Sequence, residues 1–232
     1  MRSPGEYDRP LKQCVQPGLY AGWHERPNPD LAYALGQLAA DGNLSKNRNE
    51  ICLVSTDLEM LDLFVGCLQL DPGIKPRAQK VRGSRKPRYA LRFSDWSFRV
   101  FLKDVGLSPQ KSLTIGPLAI PDNVFPDFLR GAWDGDGSWM ARGDKRLRGK
   151  YGQLASGSPA FLTWVHAAVE RLIGLRGKIH GIHLMYFSSN AVALGRWLYR
   201  VPSSAIPPAR PRVPALARKY AIWQQFTKAA IV

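Results

Sequence analysis

The stretch FLRGAWDGDGS, Phe128 to Ser138, ends on Asp136-Gly137-Ser138 and carries Gly131 five residues before Asp136. Asp41-Gly42 lies 95 residues earlier and closes a stretch of the same design, LAYALGQLAADGN from Leu31 to Asn43, with Gly36 again five residues upstream. A small residue, Ala40 or Gly135, precedes each aspartate, and Pro-Asp opens both segments at Pro29-Asp30 and Pro126-Asp127. Asn28-Pro29-Asp30 has the residue types of a helix start: a capping Asn, Pro in the first turn and an acid beside the positive helix end. Gly42 and Gly137 supply the stops.

The likeness continues outward from these helices. ICLVSTDLEMLDLF from Ile51 is matched by YGQLASGSPAFLTWV from Tyr151, each reading as a strand, a polar turn and a helix with apolar residues at i, i+3 and i+4. YALRFSDWSFRVFL from Tyr89 is matched by HLMYFSSNAVALGRWL from His183, each a strand, a Ser/Asp/Asn helix start and an amphipathic helix. The chain is therefore a duplicated α/β unit, helix–strands–helix–strands–helix. Residues 28–121 form the first domain and 122–232 the second, after an N-terminal extension over 1–27. The Pro-rich tract VPSSAIPPARPRVP from Val201 precedes a last helix, ALARKYAIWQQFTKAA.

Glycine inside a helix costs about 1 kcal/mol relative to alanine, so its repetition needs a use. Small residues four apart make a flat face on which two helices approach closely. Packing the two helices on those faces brings Asp41 and Asp136 to the same end. A carboxylate is disfavoured at the negative end of a helix, and two together repel. A divalent cation with hard oxygen ligands, Mg²⁺ with Mn²⁺ substituting, resolves both conflicts.

Composition points to the partner. The 232 residues are 45% hydrophobic and 22% charged, as in ordinary globular chains, but Lys and Arg exceed Asp and Glu by 33 − 18 = 15. That excess favours a polyanion, most often nucleic acid. Cys14, Cys52 and Cys67 have no CxxC spacing, which argues against a disulfide framework or structural zinc. No apolar run reaches the roughly 18 residues of a membrane helix, and the N-terminus lacks a secretory pattern, so an intracellular location (prokaryotic cytoplasm or organelle matrix) is expected.

ALGQLAADG and LRGAWDGDG resemble the two signature helices of the LAGLIDADG homing endonucleases, and the order of strands and helices is similar over most of the chain after residue 28. The resemblance implies two pseudo-symmetric domains in one monomer, an antiparallel β-saddle on double-stranded DNA, and motif helices packed at the domain interface. It implies an Mg²⁺-dependent, site-specific endonuclease that makes a double-strand break with short 3′ overhangs at a long asymmetric target. No small-molecule cofactor is implied, and Ca²⁺ is expected to bind without supporting turnover. Asp41 and Asp136 would hold the metal, with the carbonyls of Ala40 and Gly135 as further ligands. Ala39 stands where the motif usually has its first Asp, which Asp134 keeps. Lys111, just ahead of the second motif, and Lys219, in the last helix, would be the catalytic cations. The alternative is a non-cleaving nucleic-acid binder, such as an RNA maturase assisting intron splicing.

Basic residues cluster where the resemblance places the saddle. Lys75 to Arg88 holds seven cations and no acid, and ARGDKRLRGK follows the second motif. Asn43, Lys46, Arg48, Arg77, Gln79 and Lys80 are candidate DNA contacts, as are Arg82, Arg85 and Arg88. In the second half the candidates are Arg142, Lys145, Arg148, Gln153 and Lys178. Arg and Lys read guanine, and Asn and Gln read adenine, in the major groove. His180 and His183, three apart in a strand-like stretch, are expected on opposite faces. The seven Trp are expected in the core. There is no P-loop, GxSxG, GxGxxG or HNH-like cluster.

Overall fold

The structure, a computed structural model, describes residues 13–79, 87–140 and 149–228. The first half comprises α1 (Pro17–Tyr20), α2 (Pro29–Asp41), β1 (Gly42–Leu44), β2 (Glu50–Ser55), α3 (Leu58–Cys67), β3 (Arg77–Gln79), β4 (Arg88–Ser94) and α4 (Trp96–Val105). Two short 3₁₀ turns, Lys111–Leu113 and Asp122–Val124, lead to α5 (Phe125–Asp136). Then follow β5 (Gly137–Met140), β6 (Tyr151–Ala155), α6 (Pro159–Ile173), β7 (Lys178–His180), β8 (His183–Phe187), α7 (Ser188–Leu198) and α8 (Ala217–Lys228). Each half forms a four-stranded antiparallel sheet, in the orders β1-β2-β4-β3 and β5-β6-β8-β7.

Alternation along the strands decides which face each sheet buries. Ile51, Leu53, Leu91 and Phe93 in the first sheet, and Trp139, Leu154, Leu184 and Tyr186 in the second, turn to the core. The intervening residues face away from it. Polar residues start most of the helices: Asn28 accepts from the backbone N–H groups of Asp30 and Leu31, Asp95 from Phe98, and Ser158 from Phe161. At α7 the expected Ser/Asn start has no side-chain cap, and Ser188 has a left-handed φ of 49°.

Helices α2 and α5 pack against each other along the small-residue faces. A methyl group on Gly36 would overlap the Phe128 carbonyl, and one on Gly131 would overlap that of Tyr33. Here only glycine fits. The stops at Gly42 and Gly137 have a different cause from a left-handed turn, since both residues are extended (φ −74° and −91°). A Cβ at Gly42 would lie 2.5 Å from the Leu38 carbonyl oxygen, and one at Gly137 would lie 2.5 Å from the Trp133 ring. Close approach requires these glycines, not backbone conformation.

Buried polar groups fix the register of this junction. Asp134 accepts from the Tyr33 hydroxyl of α2 at 2.7 Å and from the Leu216 N–H, just before α8, at 2.8 Å. Arg130 donates to Asp127 (2.7 Å) and to the carbonyls of Leu198 and Pro214 (each 2.6 Å), and lies over the Tyr33 ring. A buried ion pair is tolerable only when its remaining hydrogen bonds are met, as they are here. Residues before α2 are built into the first half: the Cys14 and Val15 N–H groups donate to Asp95, and the Trp23 indole donates to the Ala119 carbonyl.

Candidate nucleic-acid interface and paired acids

The close approach of α2 and α5 continues to their C-terminal ends. A Cβ at Gly135 would overlap Ala40 and lie 3.0 Å from Asp41 Oδ2, so Asp41 stands beside the end of α5, where the charge of Asp136 acts on it. Asp41 is half-buried and Asp136 exposed. Lys111 donates to the carbonyl of Gly42 at 2.7 Å. Lys219 donates to the carbonyl of Gly137 at 2.6 Å. Each lysine thus engages the glycine that follows a motif aspartate, although one comes from a 3₁₀ turn and the other from α8. Lys219 also reaches the carbonyls of Trp133 and Asp134 (both 2.7 Å) and Gly135 (3.2 Å). The Gly135 carbonyl, expected as a metal ligand, is therefore already engaged by an ammonium.

Lys111 and Lys219 are withdrawn from water and Asp41 partly so, while Asp136 keeps an exposed edge. Burial and the neighbouring Asp136 push the Asp41 carboxyl up to about 6, against the opposing pull of Lys219 and Lys111. Asp136 is also raised, burial again outweighing the two lysines. Burial holds Lys111 and Lys219 down to about 8 despite the acids beside them. Among the described residues, no three His, Cys, Asp or Glu side chains converge on a metal-sized space. The donors present are two carboxylates. They suit a hard divalent cation whose other ligands are water and substrate oxygens, and they do not suit zinc.

The sheet faces turned away from the core carry many of the expected contact residues. Pairing of Asn43 with Cys52, Cys52 with Arg92, Arg77 with Ala90 and Gln79 with Arg88 puts Asn43, Arg77, Gln79 and Arg88 on one face of the first sheet. In the second sheet, Gln153 and Lys178 both pair with Met185 and share its face. Lys46 and Arg48 are exposed in the β1–β2 loop. Lys80, Arg82, Arg85, Arg142, Lys145 and Arg148 lie outside the described residues. Lys150, in the same basic run, is tied to the Phe226 carbonyl of α8.

Three local readings change. His180 and His183 do not share a strand: a turn at Gly181-Ile182 folds β7 onto β8 and pairs them directly, on one face. Trp96, at the start of α4, is half exposed rather than core. Arg92 was missed. It lies on the same face as Arg88, four residues and two alternations further along β4, and pairs with Glu50 at 3.2 Å. The period-2 pattern of RYALRFS contains that signal.

The sequence matches no family model and no curated protein. Solved structures do match. The N-terminal LAGLIDADG domain of DUF199/WhiA superposes with a TM-score of 0.50 at 10% identity, covering 77% of this chain and 84% of that one. The homing endonuclease I-WcaI, bound to its DNA recognition sequence, gives 0.54 at 12% identity over 73% and 80% of the two chains. Full-length DUF199/WhiA from Thermatoga maritima gives 0.51 at 9% identity over 89% of this chain and 63% of that protein. This chain has the LAGLIDADG fold of homing endonucleases, with two motif helices in one polypeptide.

Proposed function

We propose that the protein is a site-specific DNA endonuclease that makes a metal-dependent double-strand break with short 3′ overhangs at a long asymmetric target. One observation carries this reading: two acids meet at adjoining helix ends, and a lysine engages the glycine after each. Packed helices are about 8–10 Å apart and the DNA minor groove is about 6 Å wide, so paired helix ends match phosphates that face each other across that groove.

Asp41 and Asp136 would hold a divalent cation, Mg²⁺ or Mn²⁺, and the Ala40 carbonyl is a further candidate ligand. When bound, the ion supplies charge neutralisation at phosphorus and a more acidic water. Lys111, with a single carbonyl partner, presents its ammonium to a scissile phosphate and offsets charge as it builds on the phosphoryl oxygens. Lys219 holds the α5 terminus in place, fixing the direction in which Asp136 projects. The faces bearing Asn43, Arg77, Gln79, Arg88, Gln153 and Lys178 lie in the major groove on either side of the cut.

The test is cleavage of a randomised duplex library with Mg²⁺, Mn²⁺ or Ca²⁺. Defined products with the first two ions, lost in Asp41→Asn and Asp136→Asn, support the reading. Sequence-selective binding without cleavage under all three ions overturns the nuclease in favour of a binding protein. Preferential binding of structured intron RNA over duplex DNA favours a maturase.

A further inference from the structure

Strand register sorts the residues on the two outward sheet faces, and the two sets differ in chemistry. The first sheet presents Arg77, Arg88 and Arg92, joined by Asn43 and Gln79. Arg92 is half exposed and pairs with Glu50, whose own side chain shares that face. The second sheet presents Met140, Met185 and Phe187, joined by Gln153 and Lys178. Met140 is 41% exposed. Nothing in the folding of a sheet requires an uncovered methionine there, because the core-facing positions of the same strands, Trp139, Leu154 and Leu184, are already buried.

We propose that the two sheets read chemically different half-sites, the first selecting guanine through its three arginines and the second selecting thymine through its apolar row. The inference rests on the DNA-binding reading above and extends it to base preference. An arginine side chain donates two parallel hydrogen bonds to the O6 and N7 acceptors of guanine, and no other base edge offers that pair. Methionine and phenylalanine have no donor for a base edge, but they fit against the C5 methyl that only thymine carries into the major groove. Gln153, in register with Met185, adds a bidentate contact for adenine on the same flank. His180 and His183 close the β7–β8 hairpin on this face.

Full-length protein is used to recover duplexes from a randomised 30-base-pair library in Ca²⁺ at pH 8, and the recovered pool is sequenced. The expected consensus has one flank enriched in guanine on one strand and the other enriched in thymine and adenine. The triple substitution Arg77→Gln, Arg88→Gln and Arg92→Gln lowers guanine enrichment on its flank by about tenfold or more, leaving the other flank unchanged. The double substitution Met140→Ser and Met185→Ser lowers thymine enrichment on the opposite flank only. The inference is overturned if the wild-type flanks share one base preference, or if either set of substitutions erodes both flanks equally, as lost phosphate contacts or misfolding would do. If the wild-type protein retains no duplex above competitor, the DNA-binding reading fails first and this inference with it. The wild-type consensus decides the outcome even if a variant folds poorly.

Discussion

The ends of α2 and α5 present the same acid, Asp41 half-buried and Asp136 exposed, and the two lysines attached to those ends are held differently. Lys111 arrives on a 3₁₀ turn and makes one hydrogen bond to a carbonyl, that of Gly42. Lys219 arrives on α8 and is surrounded by four carbonyls of the α5 terminus. An ammonium has three protons to share, so Lys219 is saturated and Lys111 is not. The difference teaches that a duplicated helix end can keep its acid while its lysine is held in two ways, one saturated by four carbonyls and the other bound to a single one.

The largest expected effect tests what the two ends share. Asp41→Asn and Asp136→Asn each lower cleavage by about 10³-fold or more while duplex affinity in Ca²⁺ changes little, as measured by single-turnover kinetics and filter binding. Loss of only one strand's cleavage in each variant would break the shared-site picture. The next effect tests what they do not share. Lys219→Met strips four carbonyls of their donor and costs about 3 kcal/mol in urea unfolding, whereas Lys111→Met costs about 1 kcal/mol or less. Equal losses would erase the distinction.

A smaller effect follows from the crowding of charge. The Asp41 carboxyl sits at about 6 in the fold against 3.8 when unfolded, so the native state holds its proton more tightly. Its ionisation therefore leaves stability untouched below pH 3.8, lowers it progressively between 3.8 and 6, and exacts the full penalty above 6. Asp41→Asn removes that penalty and stabilises the metal-free protein at pH 7.5 by up to about 3 kcal/mol, with no gain at pH 3.5. Thermal unfolding at the two pH values measures it. The smallest effect is at the surface. Glu50→Gln frees the exposed Arg92 and changes stability by less than about 0.5 kcal/mol, a null result that double-mutant cycles with Arg92→Gln verify.

Much of this arrangement was legible in the chain because it depends on local repetition. Gly36 and Gly131 mark the packed faces without any knowledge of the fold, since a helix carries such residues only where something approaches closely. Asp95 and Ser158 announce the helices they cap. What stayed hidden depends on contacts between distant segments. Nothing near Lys219 indicates that it caps α5, because its partners lie more than 80 residues earlier. The turn at Gly181-Ile182 was passed over, and a two-residue hairpin moved His180 and His183 from opposite faces to facing positions. Asp134 was legible as the motif's first Asp, but its bonds to Tyr33 and Leu216 were not.

That last carboxylate joins parts of the chain separated by 101 residues on one side and 82 on the other. Contacts between such remote segments must pay loop-closure entropy before they return any stability, and they form late. During synthesis each sheet has its own strands at hand as soon as they emerge, but the junction between them waits for Leu216. The clamp on the helix pair thus cannot close until synthesis has reached Leu216, well after the strands of both sheets have been made.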